Sequence, residues 1–210
     1  MWWKPLLDLI FPPRCEVCRK SGDEALCPDC FSQIKLLKPY LGVHSAAVYD
    51  GVLREAIKRF KFKKRRGLAE PLGILLVRYL SRTPELKVDE MEAIVPVPLH
   101  RQRERQRGFN QVDLLARIVS KYFEVPVISA LARVRRTAPQ FDLPREARRA
   151  NIKGAFKVVE PKAIYNRKVI LLDDIYTTGS TVAECSRALQ TAGARRVEIL
   201  TLSRAIENSA

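Results

Sequence analysis

Residues 169–181 have the sequence VILLDDIYTTGST, and this stretch decides the fold. The apolar run at 169–172 predicts a strand that is buried on both faces, as in a parallel sheet. Asp173 and Asp174 follow where this strand emerges, and ligands of open α/β sheets bind outside the carboxyl ends of strands. The next loop offers backbone N–H groups and hydroxyls at the start of a predicted helix, residues 182–192, which suits a phosphate. The motif therefore favours a ligand with both polyol and phosphate groups, such as a ribose 5-phosphate.

This motif resembles that of the type I phosphoribosyltransferases, which bind phosphoribosyl pyrophosphate (PRPP). The resemblance implies that Asp173 and Asp174 contact the ribose 2- and 3-hydroxyls. It also implies that the hydroxyl loop holds the 5-phosphate through Thr177, Thr178, Gly179, Ser180 and Thr181. The structural alternative is an ordinary strand–turn–helix in which Asp and Thr cap the helix. Because the apolar run, acidic pair, loop and helix coincide, PRPP binding is the favoured interpretation.

Strand-like and helix-like segments alternate through the rest of the chain, which predicts an α/β fold with a parallel sheet flanked by helices. Strands are predicted at 45–49, 93–98, 125–128 and 197–202, and helices at 52–62, 71–80 and 112–123. The composition changes after residue 42. We therefore expect an N-terminal segment with a small zinc ribbon at 1–42, and a phosphoribosyltransferase-like (Rossmann-like) domain at 43–210.

The N-terminal part contains two CxxC pairs, at Cys15 and Cys18 and at Cys27 and Cys30. Four thiolates complete the tetrahedral shell of Zn²⁺ and leave no open position, so the pairs predict a structural zinc site. A disulfide or redox pair is the rival interpretation. It is weak because no βαβ pattern surrounds these cysteines and nothing marks the chain as secreted. The fifth cysteine, Cys185, falls in a helix pattern and is interpreted as a small buried hydrophobe.

The 210-residue chain carries a formal net charge of +15, which indicates anionic partners. The densest basic cluster contains Lys61, Lys63, Lys64 and Arg65, and we predict that these residues contact nucleic acid. Such contacts would make affinity fall steeply with salt, as for single-stranded DNA. A solvated helix face is the alternative for any one cluster. Further basic clusters, among them residues 101–107, favour the nucleic-acid interpretation.

Two more segments resemble parts of the phosphoribosyltransferase fold. Residues 96–101 resemble the strand and loop that bind pyrophosphate, which makes His100 and Arg101 the candidates there, with Arg107 in reserve. The arginine-rich segment that starts at residue 136 resembles the flexible loop that closes over substrate, and it contains Arg136, Thr137 and Gln140. A plain exposed linker is the alternative for this segment. The resemblance also implies that Mg²⁺ accompanies PRPP and bridges its diphosphate and ribose oxygens.

Taken together, the paired CxxC head, PVPLHR at 96–101, RGFNQ at 107–111 and DDIYTTGST at 173–181 resemble the ComF family over nearly the whole chain. The resemblance implies a cytoplasmic factor that assists uptake or processing of single-stranded transforming DNA, with a helicase-like partner. An active phosphoribosyltransferase with an unknown acceptor is the alternative function, so enzymatic activity stays open. A nucleotide-responsive transcriptional regulator is a third and weaker possibility.

The N-terminal residues 1–12 are apolar but short and are interrupted by Pro5 and Asp8. They lack the basic start and the cleavage site of a secretory signal, and no run is long enough to cross a bilayer. We expect this segment to pack on the rest of the protein. A peripheral contact at the inner face of the membrane is the alternative, because Trp2 and Trp3 suit an interface.

Overall fold

The structure is a computed structural model that describes residues 13–39, 42–135 and 151–206. Its helices are α1 (Pro28–Ser32), α2 (Gly51–Phe62), α3 (Ala69–Leu80), α4 (Arg101–Arg107), α5 (Gln111–Phe123), α6 (Pro161–Ile164) and α7 (Ser180–Thr191). Its strands are β1 (Val43–Val48), β2 (Ala93–Pro96), β3 (Leu131–Arg133), β4 (Phe156–Val158), β5 (Lys168–Tyr176) and β6 (Arg196–Arg204). Short 3-10 helices lie at Arg66–Leu68, Pro84–Leu86 and Val88–Glu90.

A four-stranded parallel sheet in the order β1-β6-β5-β2 forms the centre of the fold. Strand β2 pairs with β5 from Ala93 opposite Val169 to Pro96 opposite Leu172. The pairing with β2 ends at Leu172, so Asp173 and Asp174 lie on the part of β5 that extends beyond β2. The strands β3 and β4 form a separate antiparallel hairpin. The parallel α/β architecture predicted from the sequence is therefore confirmed.

The alternation of side chains along β5 divides the core into two layers. Ile170 and Leu172 belong to the layer packed against α2, α3 and α5, whereas Val169 and Leu171 belong to the layer formed with α7 and the hairpin. In the first layer α3 and α5 approach so closely that a Cβ on Gly73 would lie 2.6 Å from Ile118 Cγ2. Only a glycine fits this contact, and it sets the position of α5, whose first turn reaches the acidic pair.

Three sequence-based expectations differ from the structure. The predicted strand at 125–128 is only an isolated bridge between Val127 and Ile94, because Pro126 has no N–H to donate and the neighbouring β2 ends at Pro96 after four residues. The arginine-rich stretch after His100 forms the helix α4, which is not among the predicted helices. The hairpin of β3 and β4 has no counterpart among the predicted elements.

No helix in the described ranges combines the length and apolar character required to cross a bilayer.

The cysteine-bearing segment packs against the main sheet layer. Its buried side chains Cys15, Leu26 and Cys30 belong to the same apolar cluster as Ile57 and Phe60 of α2. Arg78 of α3 also lies 4.8 Å from the ring centroid of Phe31. A forty-residue segment builds little core alone, so this shared packing supplies apolar burial that the segment lacks. The boundary at residue 42 stays a prediction.

Candidate functional site

The acidic pair lies near the carboxyl end of β5, with one acid on each face of the strand. Asp173 follows the Val169 and Leu171 side and lines a cavity with the hydroxyl loop, whereas Asp174 turns toward α2 and α5. This separation follows from the period of two along a strand. The sequence places both acids at the right edge of the sheet, but it does not make them neighbours in one cleft.

The hydroxyl loop forms the floor of the cavity beside Asp173. A small, partly open cavity is lined by Asp173, Ile175, Tyr176, Thr177, Gly179, Ser180, Thr181 and Val182. Helix α7 begins at Ser180, so its first N–H groups face this region. Thr178 Oγ1 and Ser180 Oγ lie 2.8 Å apart in a hydrogen bond. The arrangement presents backbone donors and hydroxyls around a small open space, which suits a phosphate group.

Gly179 is the residue that allows the loop to turn. Its φ of +75° lies in the left-handed region, and a Cβ there would come within 2.5 Å of the Tyr176 hydroxyl. The aromatic ring of Tyr176 therefore packs directly over the glycine. Both the backbone conformation and this contact require glycine at the position. The ring forms one wall of the cavity beside Asp173.

Asp174 is held by side chains from two helices. Its Oδ2 accepts a hydrogen bond from Gln111 Nε2 at 2.6 Å and forms an ion pair with Lys61 Nζ at 2.7 Å. The Lys61 and Asp174 side chains are 15% and 9% exposed, so the ion pair is largely buried. Arg107 donates to Gln111 Oε1 and extends the network. Lys61, predicted as part of the nucleic-acid cluster, thus points inward to the acidic pair.

Each acid has one carboxylate oxygen that has no partner among the described residues. Asp173 Oδ1 accepts from the Asp174 backbone N–H at 2.8 Å, and Asp174 Oδ2 is used by Lys61 and Gln111. Within 13–39, 42–135 and 151–206, Asp173 Oδ2 and Asp174 Oδ1 make no hydrogen bond or ion pair. Burial and the neighbouring Asp174 charge raise the pKa of Asp173 to about 7. Asp173 therefore changes its charge near neutral pH.

The residues predicted for pyrophosphate are arranged differently from the expectation. His100 Nδ1 accepts from the Gln102 backbone N–H at 3.3 Å, so His100 caps α4. Arg101 is exposed and lines a separate open groove with Arg105. Neither residue is among the described residues that line the Asp173 cavity. The reserve candidate, Arg107, is the one that reaches the acidic network, and its pKa is lowered by burial.

Arg133 is a site residue that the sequence analysis did not assign. It ends β3, where it bridges to His100, and its guanidinium carbon lies 5.4 Å from the ring centroid of Phe156. Burial lowers the pKa of Arg133, while the charge of Asp173 raises it. A partly buried cation therefore acts on Asp173 from the hairpin. Its partner strand, β4, lies far away in sequence, so no local pattern could have identified Arg133.

Gln111 is a second site residue whose role was not predicted. Its place at the end of the RGFNQ motif was the sequence feature that could have identified it.

The basic cluster divides into two kinds of residue. Lys63 and Lys64 are exposed at the end of α2, and within the described ranges neither forms an ion pair. Lys61 is paired with Asp174, and Arg65 Nε lies 3.4 Å from Glu16 Oε2. Arg59 also donates to the backbone oxygen of Glu16. The predicted loop residues Arg136, Thr137 and Gln140 lie outside the described residues.

The sulfur atoms of Cys15, Cys18, Cys27 and Cys30 all lie within 4.8 Å of one another. The Cys15–Cys30 and Cys18–Cys27 sulfur pairs are 3.8 and 3.6 Å apart, too far for disulfide bonds. Zn–S bonds of about 2.3 Å in a tetrahedron require sulfurs about 3.8 Å apart, so the four residues fit zinc. Burial opposes ionisation of Cys15, but backbone hydrogen bonds outweigh it and lower the pKa of Cys15 to about 6.

Comparisons with known proteins cover both the cysteine-bearing segment and the rest of the chain. A family profile described as a double zinc ribbon domain matches residues 6–41. "Competence protein F" of Haemophilus influenzae is 39% identical, over 93% of this chain and 99% of the relative. The chain belongs to the ComF family. Other ComF relatives include "Competence protein ComFC" of Bacillus subtilis, 30% identical over 90% of this chain and 77% of the relative. "DNA utilization protein YhgH" of Escherichia coli K12 is 34% identical, over 91% of this chain and 90% of the relative.

Two solved structures match part of this ComF chain. A glutamine PRPP amidotransferase from B. subtilis, complexed with ADP and GMP, matches 54% of this chain with 19% identity and a TM-score of 0.39. A structure of the allosteric regulatory enzyme of purine biosynthesis matches 64% of this chain with 19% identity and a TM-score of 0.43. This chain spans 23% and 25% of the two proteins. The fold described above rests on the chain's own strand order and register.

Proposed function

We propose that this ComF chain binds PRPP at the carboxyl end of β5. The observation that supports the proposal best is the shared cavity of Asp173 and the hydroxyl loop. A carboxylate accepts hydrogen bonds from ribose hydroxyls, and the start of α7 attracts a phosphate. Asp173 and the residues from Thr177 to Thr181 therefore offer complementary groups to the two ends of one ribose 5-phosphate.

The second acid takes part from the opposite face of the strand. Asp174 Oδ1 and Asp173 Oδ2 are the carboxylate oxygens that make no internal bond among the described residues. A ribose above the strand end would use them as acceptors for neighbouring hydroxyls. Lys61 neutralises the charge of Asp174, so the two acids together repel a diphosphate less than two unpaired carboxylates would. Mg²⁺ bound with PRPP would neutralise diphosphate oxygens and bridge them to ribose oxygens.

We further propose that the role of the chain is assistance to the uptake or processing of single-stranded transforming DNA. Relatives named as competence and DNA utilization proteins support this role, as does the net charge of +15. Lys63 and Lys64 are the exposed cations of the predicted contact, with Arg65 beside them. A helicase-like partner, as the family resemblance implies, would supply the strand in the cytoplasm at the inner face of the membrane.

Phosphoribosyl transfer is a second candidate function, and Arg133 is the observation that favours it. A partly buried guanidinium that acts on Asp173 would stabilise pyrophosphate as it leaves C1 of the ribose. The test is incubation with PRPP, Mg²⁺ and a panel of nitrogenous acceptors while pyrophosphate is measured. Acceptor-dependent release would establish the enzyme. Binding of PRPP without release would assign the site to binding or regulation.

Calorimetry of PRPP with Mg²⁺ tests the main proposal. Asp173→Asn keeps an oxygen for the Asp174 N–H but loses the charge, so we expect affinity to fall at least about tenfold. Asp113→Asn is the matched control, because Asp113 pairs with Arg117 of the same helix α5 and does not line the Asp173 cavity. Thermal unfolding verifies that both variants fold. Unchanged PRPP affinity in Asp173→Asn would remove the ribose assignment.

A further inference from the structure

An exposed aromatic ring lies at the end of α2, inside the basic run. Phe62 is 71% exposed, although a phenylalanine at that position gains nothing from contact with water. The Arg107 guanidinium carbon lies over this ring, 5.8 Å from its centroid. Lys63 and Lys64 follow directly in the chain and are exposed as well. The ring is therefore largely exposed, with the Arg107 guanidinium from α4 over it and two exposed lysines next to it in the chain.

The backbone that carries this ring is fixed by a second set of contacts. Phe60 packs against Phe109 with ring centroids 5.5 Å apart, and Arg66 lies 4.8 Å from the centroid of Phe109. Arg66 Nη2 also donates to the Gly108 carbonyl at 2.7 Å. These contacts attach the end of α2 to the end of α4. Phe62 is thus presented by a packed corner of the fold, and little conformational freedom is lost when a partner binds.

We propose that Phe62 is a stacking platform for an unpaired base of single-stranded nucleic acid. This inference rests on the proposed nucleic-acid contact and identifies its form. Every base has a π-face, and proteins that bind single strands combine aromatic side chains with a cationic track for the phosphates. The exposed Lys63 and Lys64, which follow Phe62 in the chain, and Arg107, which lies over the ring, would supply this track. A duplex hides its base faces, and a free base would require walls that a 71% exposed ring does not have.

The platform lies close to the proposed PRPP site. Arg107 donates to Gln111, and Gln111 donates to Asp174 Oδ2 at 2.6 Å. Only these two side-chain contacts separate the guanidinium over Phe62 from the acidic pair. A strand stacked on Phe62 would therefore run past the edge of the ribose site. The two ligands would occupy neighbouring surfaces of one corner of the molecule.

Fluorescence anisotropy with a labelled oligothymidylate tests the platform. We expect Phe62→Ala to weaken binding roughly 5- to 100-fold, the usual effect of losing one stacked base. The slope of log affinity against log salt should not change, because no charge is removed. Tyr165→Ala is the matched control, since Tyr165 is also 71% exposed but lies before β5, at the opposite end of that strand. The control should bind like the wild type.

Two additional variants separate stacking from charge. The double variant Lys63→Gln/Lys64→Gln should lower the salt slope by about 1.4, because each phosphate contact to a single strand contributes about 0.7. Phe62→Trp should keep wild-type affinity, and the oligonucleotide should quench the emission of the added tryptophan. This variant also guards against a folding defect in Phe62→Ala, which thermal unfolding would reveal.

The outcomes distinguish this inference from the proposed function. Salt-dependent binding that Phe62→Ala does not weaken would overturn the platform and leave the basic contact intact. No binding by the wild type would overturn both, whereas PRPP calorimetry would be unaffected. Equal competition by free thymidine monophosphate, or equal Phe62 dependence for a duplex, would overturn the assignment to a single strand.

Discussion

Replacing Lys61 by Met tests whether this lysine belongs to the acidic pair or to the basic face. The substitution leaves the Asp174 carboxylate, 9% exposed, without its cation. Removal of one partner of a buried ion pair costs about 3–5 kcal/mol. Gln111 still donates to Asp174 Oδ2, so we expect the lower end, about 3 kcal/mol, in the free energy of unfolding. Urea unfolding followed by circular dichroism measures this difference at pH 8.

Lys63→Met is the matched control, because Lys63 is exposed and forms no ion pair among the described residues. Exposed substitutions of this kind change stability by about 0.5 kcal/mol or less. Lys63→Met should instead lower the salt slope of oligonucleotide binding by about 0.7, which Lys61→Met should leave unchanged. Equal stability of the two variants would refute the assignment of Lys61 to Asp174.

The change of the stability deficit of Lys61→Met with pH is an independent test of the pairing. In Lys61→Met the Asp174 carboxylate stays largely buried and has lost its cation, so its negative charge disfavours the folded state. Protonation then relieves the buried charge, and the stability deficit should shrink as the pH falls toward 4. The double variant Lys61→Met/Asp174→Asn lacks both charges. It should lose less stability than Lys61→Met, and a deficit equal to the sum of the two single deficits would contradict the pairing.

Three further predictions concern zinc, pH and the glycine turn. Metal analysis should find about one zinc per chain and its loss in Cys15→Ser or Cys30→Ser, and folded metal-free protein would contradict the zinc site. PRPP affinity should rise with pH through about 7 as Asp173 ionises, and Asp173→Asn should remove this component; an unchanged profile would exclude Asp173 as the cause. Gly179→Ala should weaken PRPP binding and destabilise by more than about 1 kcal/mol. Gly154→Ala is its control, since Gly154 has a similar φ of +68° but open space at its Cβ, so equal losses would exclude the Tyr176 contact.

The sequence predicts well the parts of the site that lie along one strand and the loop after it. The apolar run before Asp173 identifies a strand that is covered on both faces, and the core clusters on the two faces of β5 confirm it. The turn at Gly179 and the start of α7 follow from local chemistry, because left-handed backbone and helix starts are set by neighbouring residues. The four cysteines converge as their spacing predicts.

The sequence does not predict which side chains meet across the sheet. Lys61 lies in a basic run typical of a solvated helix end, but α2 packs so that this one lysine reaches Asp174. His100 was expected to face a diphosphate, and its ring instead caps a helix that the arginine-rich composition did not suggest. Helix packing angles and strand faces decide both results. Local composition carries no information about them until the neighbouring elements are known.

Glu16 connects the metal-binding end of the molecule to its cationic corner. It lies between Cys15 and Cys18, its carboxylate pairs with Arg65, and its backbone oxygen accepts from Arg59. A chelator that removes the metal from the four cysteines would therefore loosen the contacts of Glu16 with Arg59 and Arg65. These two contacts hold the segment that carries Lys63 and Lys64. Nucleic-acid binding at Lys63 and Lys64 would then depend on the supply of metal.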